Sequence, residues 1–126
     1  MAKGNKKKIM VVDDEPDILN LVSLILENEG YTVLKVSSGP SAISLAQKEK
    51  PDLILLDIMM PGMDGWETLR ILNSNPETSS IPVVILTCRS GTYDRILGIQ
   101  ENAVDYITKP FTPDNLVERV KNIIEQ

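Results

Sequence analysis

The sequence predicts an α/β fold, a single doubly wound five-stranded parallel sheet with five helices. Three observations predict it. Five short strand-like segments alternate with five helical segments, most of which carry caps or helical periodicity. Runs such as Leu53-Ile54-Leu55-Leu56 are apolar throughout, which suits strands buried on both faces. The length of 126 residues has room for one core and little more. Regular β-then-α alternation places helices on both faces of a parallel sheet, and right-handed crossovers restrict the topology.

Each element has its own signals. Residues 8–12 form a short strand ending at Asp13-Asp14. A helix follows, capped by Asp14 or Glu15, with Pro16 suited to its first turn. Ile18, Val22, Ile25 and Leu26, with Leu21 beside them, make one stripe at helical spacing. Leu19 and Leu24 lie roughly 90–130° from that stripe, as ordinary surface leucines or as a contact patch. Gly30 stops the helix, and residues 31–37 form the second strand. Ser38 caps a helix carrying Ala42, Ile43, Leu45 and Ala46. Pro51 breaks the chain before the strand at 53–56, which ends at Asp57. Residues 59–65 are a turn-rich loop, and a helix runs over about 66–72. The strand at 82–86 ends at Thr87, and a helix is expected around 93–100. The last strand, 104–107, ends before Lys109-Pro110. Thr112-Pro113 then opens a helix with Leu116, Val117, Val120, Ile123 and Ile124 on its inner face.

Composition narrows the function. Apolar residues are 42% and charged residues 25%, ordinary soluble usage that argues against a disordered chain or a coiled coil. No apolar stretch approaches the roughly 18–20 residues of a membrane span, and no apolar segment follows the lysine-rich start as in a secretory signal. The net charge is −5, and Lys3, Lys6, Lys7 and Lys8 hold four of the 13 basic charges. From Ile9 onward nine bases face 18 acids. Such a body repels phosphate backbones, so neither direct nucleic-acid binding nor membrane insertion is expected. Residues 1–7 read as a basic, mobile tail and residues 8–126 as the domain. The single Cys88 rules out an internal disulfide and fits a reducing, cytoplasmic setting. With no histidine, every His-based triad is excluded.

In open parallel sheets, ligands sit beyond the carboxyl ends of the strands. Those ends hold Asp13-Asp14, Asp57, Thr87 and Lys109. Singly, each has a plain reading as a cap, a loop start, a strand end or a surface lysine. Together they make a site. Two carboxylates about 4 Å apart repel by roughly 4 kcal/mol at an effective dielectric near 20, so a cation must offset them. Oxygen donors without His or Cys suit Mg²⁺ before Zn²⁺. Aspartates, Mg²⁺, a hydroxyl and a lysine are suited to holding a phosphoryl group on a carboxylate.

Here the residues resemble a known family. The segments Val11-Val12-Asp13-Asp14-Glu15-Pro16, residues 51–65 around Asp57, Thr87, and Tyr106-Ile107-Thr108-Lys109-Pro110-Phe111 closely resemble the receiver (CheY-like) domain of two-component response regulators. The resemblance covers residues 8–126 and implies a flavodoxin/CheY-like strand order of 2-1-3-4-5. It implies that Asp57 accepts a phosphoryl group from the phosphohistidine of a histidine kinase or histidine phosphotransfer protein. It further implies Mg²⁺ (with Mn²⁺ as a substitute) held by Asp13, Asp14, Asp57 and the backbone carbonyl of Met59. Lys109 and Thr87 would stabilise the phosphoryl group, and Thr87 and Tyr106 would act as the switch. A cis Lys109–Pro110 bond is frequent in the family.

The chain also departs from the family pattern. Cys88 stands where Ala or Gly is usual, and Val104 replaces a frequent acid. Asn102 stands where Gly is common, and Asn tolerates the left-handed conformation next best. Met59, Cys88 and Arg89 flank the expected phosphoryl position and are expected to tune its lifetime. The function implied is a phospho-accepting signalling switch with weak self-catalysed phosphotransfer and autodephosphorylation, not a turnover enzyme. It signals to a downstream protein or output domain, in one version through a phosphorylation-dependent dimer. A pseudo-receiver docking module is the alternative, but Asp57 and Lys109 are both present. A haloacid dehalogenase-type phosphatase fits less well, because Met59 stands where its second acid belongs.

Overall fold

Three strands whose residues are all or nearly all buried set the architecture: β1 (Lys8–Val12), β3 (Leu53–Leu56) and β4 (Val83–Thr87). They come from a computed structural model of the chain, which describes residues 6–59, 65–87, 96–97 and 100–125. The more exposed β2 (Thr32–Val36) and β5 (Asp105–Thr108) flank them as edges. The five strands form one sheet in the order β2-β1-β3-β4-β5, every neighbouring pair parallel. The strand order implied by the family resemblance is therefore the observed one.

Alternation along each strand divides the core in two. Met10, Val12, Ile54, Leu56, Val83 and Ile85 point to one face. There they meet α2 (Gly39–Glu49) through Ala42 and Ala46, and α3 (Gly65–Ser74) through Trp66, Leu69 and Leu72. Ile9, Val11, Leu53, Leu55, Val84 and Leu86 point to the other face. That face is covered by α1 (Pro16–Asn28) through Val22 and Leu26, and by α4 (Pro113–Ile124) through Leu116 and Val120.

Helix ends follow their caps. Ser38 accepts from the Ser41 N–H at 3.3 Å, and Thr112 accepts from the Asn115 N–H at 3.1 Å. Glu15 is the N-cap of α1 but makes no side-chain capping bond. Four helices lie among the described residues. The expected helix over 93–100 falls largely outside them; Ile96, Leu97 and Gln100 are described and helical. The helix expected at 66–72 is longer, beginning at Gly65 and ending at Ser74. The last strand is one residue later than expected, because Val104 lies outside it and is exposed. Leu21 leaves the buried stripe and is 47% exposed, whereas Leu19 packs against the core and Leu24 is 67% exposed. Asn102 takes φ 68°, the left-handed conformation expected of it. Among the described residues, no helix is long and apolar enough to cross a membrane.

Candidate functional site

The sheet places its acids through backbone bonds. Asp13, Asp57 and Lys109 each lie just beyond a strand, where the amide is fixed by the neighbouring strand's carbonyl. Asp13 N–H donates to the Val36 carbonyl at 3.0 Å, and Asp57 N–H donates to the Val12 carbonyl at 3.0 Å. Lys109 N–H donates to the Thr87 carbonyl at 2.8 Å. Parallel register thus brings residues nearly a hundred positions apart to one edge.

Side chains converge there. Carboxylate oxygens of Asp13, Asp14 and Asp57 all lie within 4.8 Å of one another. Asp13 and Asp57 are buried, at 1% and 4% exposure, while Asp14 is exposed. Asp13 Oδ1 accepts from the Glu15 N–H at 3.0 Å, and Asp57 Oδ1 accepts from the Met59 N–H at 2.9 Å. These local turns fix one oxygen of each acid. The second oxygens share a cation: Lys109 Nζ donates to Asp13 Oδ2 at 2.7 Å and to Asp57 Oδ2 at 3.2 Å. A third carboxylate, Glu15 Oε1, accepts from the same Nζ at 3.3 Å.

One ammonium therefore serves three acids, with Asp14 a fourth beside them. The electrostatics follow. Burial pushes the Asp13 carboxyl up; the Lys109 and Glu15 N–H bonds pull it back, and the Asp57 charge pushes it up again, leaving it above the ordinary value. Burial pulls the Lys109 ammonium down, but the Asp13 hydrogen bond and the charges of Asp57 and Asp13 outweigh it, leaving it above the usual lysine range. The lysine is thus held charged by the acids beside it, while Asp13 carries its charge chiefly against the cost of burial. Clustered oxygen donors with surplus negative charge fit a hard divalent cation.

Thr87 ends β4, is buried, and faces Thr108 in register. Tyr106 is 7% exposed and packs in the core cluster that contains Ile58, Trp66 and Ile85, so its ring is turned inward here. Met59 is 47% exposed. The Lys109–Pro110 bond is cis. Cys88 and Arg89 lie outside the described residues.

Two residues of the site were not singled out as such in the sequence. In the sequence Glu15 is a cap candidate and part of the receiver-like segment; its signal as a site residue is a third acid directly after the Asp pair. Gly65 falls in the turn-rich loop of the sequence, yet a Cβ there would collide with Ile58 Cα and lie 2.6 Å from the Asp57 carbonyl oxygen. Only glycine lets α3 start against the backbone that carries Asp57.

Comparisons with known proteins agree with this arrangement. The alkaline phosphatase synthesis transcriptional regulatory protein PhoP of Bacillus subtilis is 42% identical over 120 residues, 95% of this chain. Protein PilH of Pseudomonas aeruginosa is 38% identical over 117 residues, 93% of this chain. This chain spans about half of PhoP (49%) but nearly all of PilH (97%). Among solved structures, the receiver domain of a sensor histidine kinase from P. aeruginosa, with a magnesium ion coordinated in its active-site cleft, superposes with a TM-score of 0.89 at 27% identity. That match covers 97% of this chain and 100% of the other. The family model of the response regulator receiver domain matches residues 9–121. With the sheet order, the acid cluster and the shared lysine already in hand, that match settles the family: this chain belongs to the response regulator receiver domains.

Proposed function

We propose that residues 8–126 form a receiver that takes a phosphoryl group onto Asp57 from the phosphohistidine of a histidine kinase or histidine phosphotransfer protein. The observation that carries this reading is the Lys109 ammonium held between the buried Asp13 and Asp57 carboxylates. In the transfer, an Asp57 carboxylate oxygen forms a bond to phosphorus as the donor's P–N bond breaks. The electron pair stays on the imidazole nitrogen, which takes a proton from solvent. Lys109 turns to the new phosphoryl oxygens, and the Thr87 hydroxyl donates to another of them. Hydrolysis by water breaks the P–O bond, releases inorganic phosphate and restores the carboxylate. Both steps are weakly self-catalysed.

Asp13, Asp14, Asp57 and the Met59 carbonyl would hold Mg²⁺, or Mn²⁺ in its place. Bound Mg²⁺ supplies positive charge to the phosphoryl oxygens. Oxygen-only donors within 4.8 Å of one another support this assignment. Met59, two residues after Asp57, and Cys88 and Arg89, which follow Thr87 in the sequence, would set the phosphoryl lifetime by limiting access of water. Thr87 and Tyr106 form the switch. The phosphoryl group adds nearly two negative charges, and its contacts with Lys109 and Thr87 favour one of two conformations. A fifth helix between β4 and β5 is part of this reading, supported by the Glu101 N–H bond to the Leu97 carbonyl at 2.9 Å. The output is a downstream protein or domain in the cytoplasm, reached directly or through a phosphorylation-dependent dimer, and residues 1–7 are a basic segment ahead of the receiver.

The test is mass spectrometry after incubation with acetyl phosphate. Wild type should gain one phosphate in Mg²⁺ and none in chelator, acid-stable and alkali-labile. Asp57→Asn should gain none; an equal gain in that variant would reject Asp57 as the acceptor.

A further inference from the structure

A lysine ammonium has three N–H donors and no acceptor. In this structure three carboxylates surround that of Lys109: Asp13 at 2.7 Å, Asp57 at 3.2 Å and Glu15 at 3.3 Å. Its donors are therefore fully engaged before any phosphoryl group arrives. A phosphoryl group on Asp57 that pairs with Lys109 must take a donor from one of them.

The three are not equally held. Asp13 and Asp57 are buried, and each is tied through its other oxygen to a backbone N–H. Glu15 has a side chain that is 62% exposed and makes the longest of the three contacts. It is also the N-cap residue of α1 and does not cap that helix with its side chain. Its carboxylate reaches across to Lys109 instead. An exposed contact of this kind contributes little and is readily exchanged.

We infer that Glu15 is a positioning residue, a displaceable anion that occupies Lys109 until the phosphoryl group replaces it. This rests on the phosphoryl-acceptor reading of Asp57. Glu15 holds the ammonium extended toward the cleft, and its departure frees one donor for the incoming oxygens. It thereby competes with the phosphoryl group for a single N–H, which sets how tightly the loaded state is held.

The experiment is a calorimetric titration with fluoroberyllate, a noncovalent phosphoryl mimic, at saturating Mg²⁺, using wild type, Glu15→Gln, Glu15→Asp and Asp57→Asn. Glu15→Gln keeps the shape and removes the competing charge. It should bind the mimic about two- to fivefold tighter, the range set by an exposed ion pair of up to about 1 kcal/mol. Glu15→Asp keeps the charge but is one methylene short of Lys109, so it should also bind tighter than wild type. Unchanged or weaker binding by Glu15→Gln would overturn the inference. So would tighter binding by Glu15→Gln with wild-type binding by Glu15→Asp, because charge alone and not occupation of Lys109 would then be at work. Asp57→Asn should lose binding. If it binds as wild type does, the phosphoryl-acceptor reading falls, and this inference with it.

Discussion

At the scale of single residues, the tightest steric constraint at a glycine among the described residues is Gly65. Its N–H donates to the Ile58 carbonyl at 3.3 Å, and an added methyl would overlap backbone rather than a yielding side chain. Gly65→Ala should destabilise the protein by about 2–3 kcal/mol, as overpacking against fixed atoms does. Relief requires the Asp57–Ile58 backbone to shift, so Mg²⁺ affinity should fall as well. Urea midpoints at constant m-value and a Mg²⁺ titration check both. A midpoint equal to that of wild type would show that α3 can start elsewhere without strain. The sequence made Asp57 legible because it ends a continuous apolar run before a turn-rich loop. It could not show Gly65's role, because an approach between backbones seven positions apart leaves no periodic trace. Glu15 was hidden for a related reason. Its partner Lys109 is 94 positions away, and its place beside a helix start offered a simpler explanation.

Between elements, the clearest coupling is that of α4 to the turn between α1 and β2. The Tyr31 hydroxyl donates to Glu125 Oε2 at 3.1 Å, and Lys121 Nζ pairs with Glu29 at 3.1 Å. Burial pushes the Tyr31 phenol up, and the Glu125 hydrogen bond with the charges of Glu125 and Glu29 adds to it, from 10.0 to about 12. A phenol whose folded value is raised binds its proton more tightly in the native state. Its contribution is therefore fully present below pH 10 and is lost as pH rises through about 12. Wild type should lose stability across that window more steeply than Tyr31→Phe, and one phenol of wild type should titrate near pH 12 by phenolate absorbance. Parallel stability profiles for the two proteins would show that the bond does not couple the elements. The elements themselves were largely legible where a local signal marked them. Ser38 and Thr112 announced their helices through side-chain caps, and the central strands β1, β3 and β4 were announced by continuous apolar stretches. Leu21 was misplaced because it borders the apolar stripe of α1, and only packing against the sheet decides which border residues are covered.

For the whole molecule, the question is how a chain with 18 acids against 13 bases tolerates four of those acids around one lysine. The raised carboxyl of Asp13 says that the fold holds this charge against its preference, chiefly because it is buried and despite the Lys109 hydrogen bond. A carboxyl raised in the native state destabilises it at neutral pH. That penalty is absent below the ordinary value of 3.8 and complete above the raised one. Asp13→Asn removes the charge, keeps an acceptor for the Glu15 N–H, and leaves Lys109 to Asp57 and Glu15. In chelator at neutral pH the variant should therefore be more stable than wild type, with the difference shrinking as pH falls toward 3.8. Mg²⁺ should reverse the order. Binding only to the native state stabilises wild type by about 1.4 kcal/mol at ten times its dissociation constant, and the variant, short of a ligand, gains less. Urea melts across a Mg²⁺ series should show two curves that cross. If Asp13→Asn is already the less stable protein in chelator, the Asp13–Lys109 bond outweighs burial, and the acid cluster is a structural brace instead of a seat for a cation.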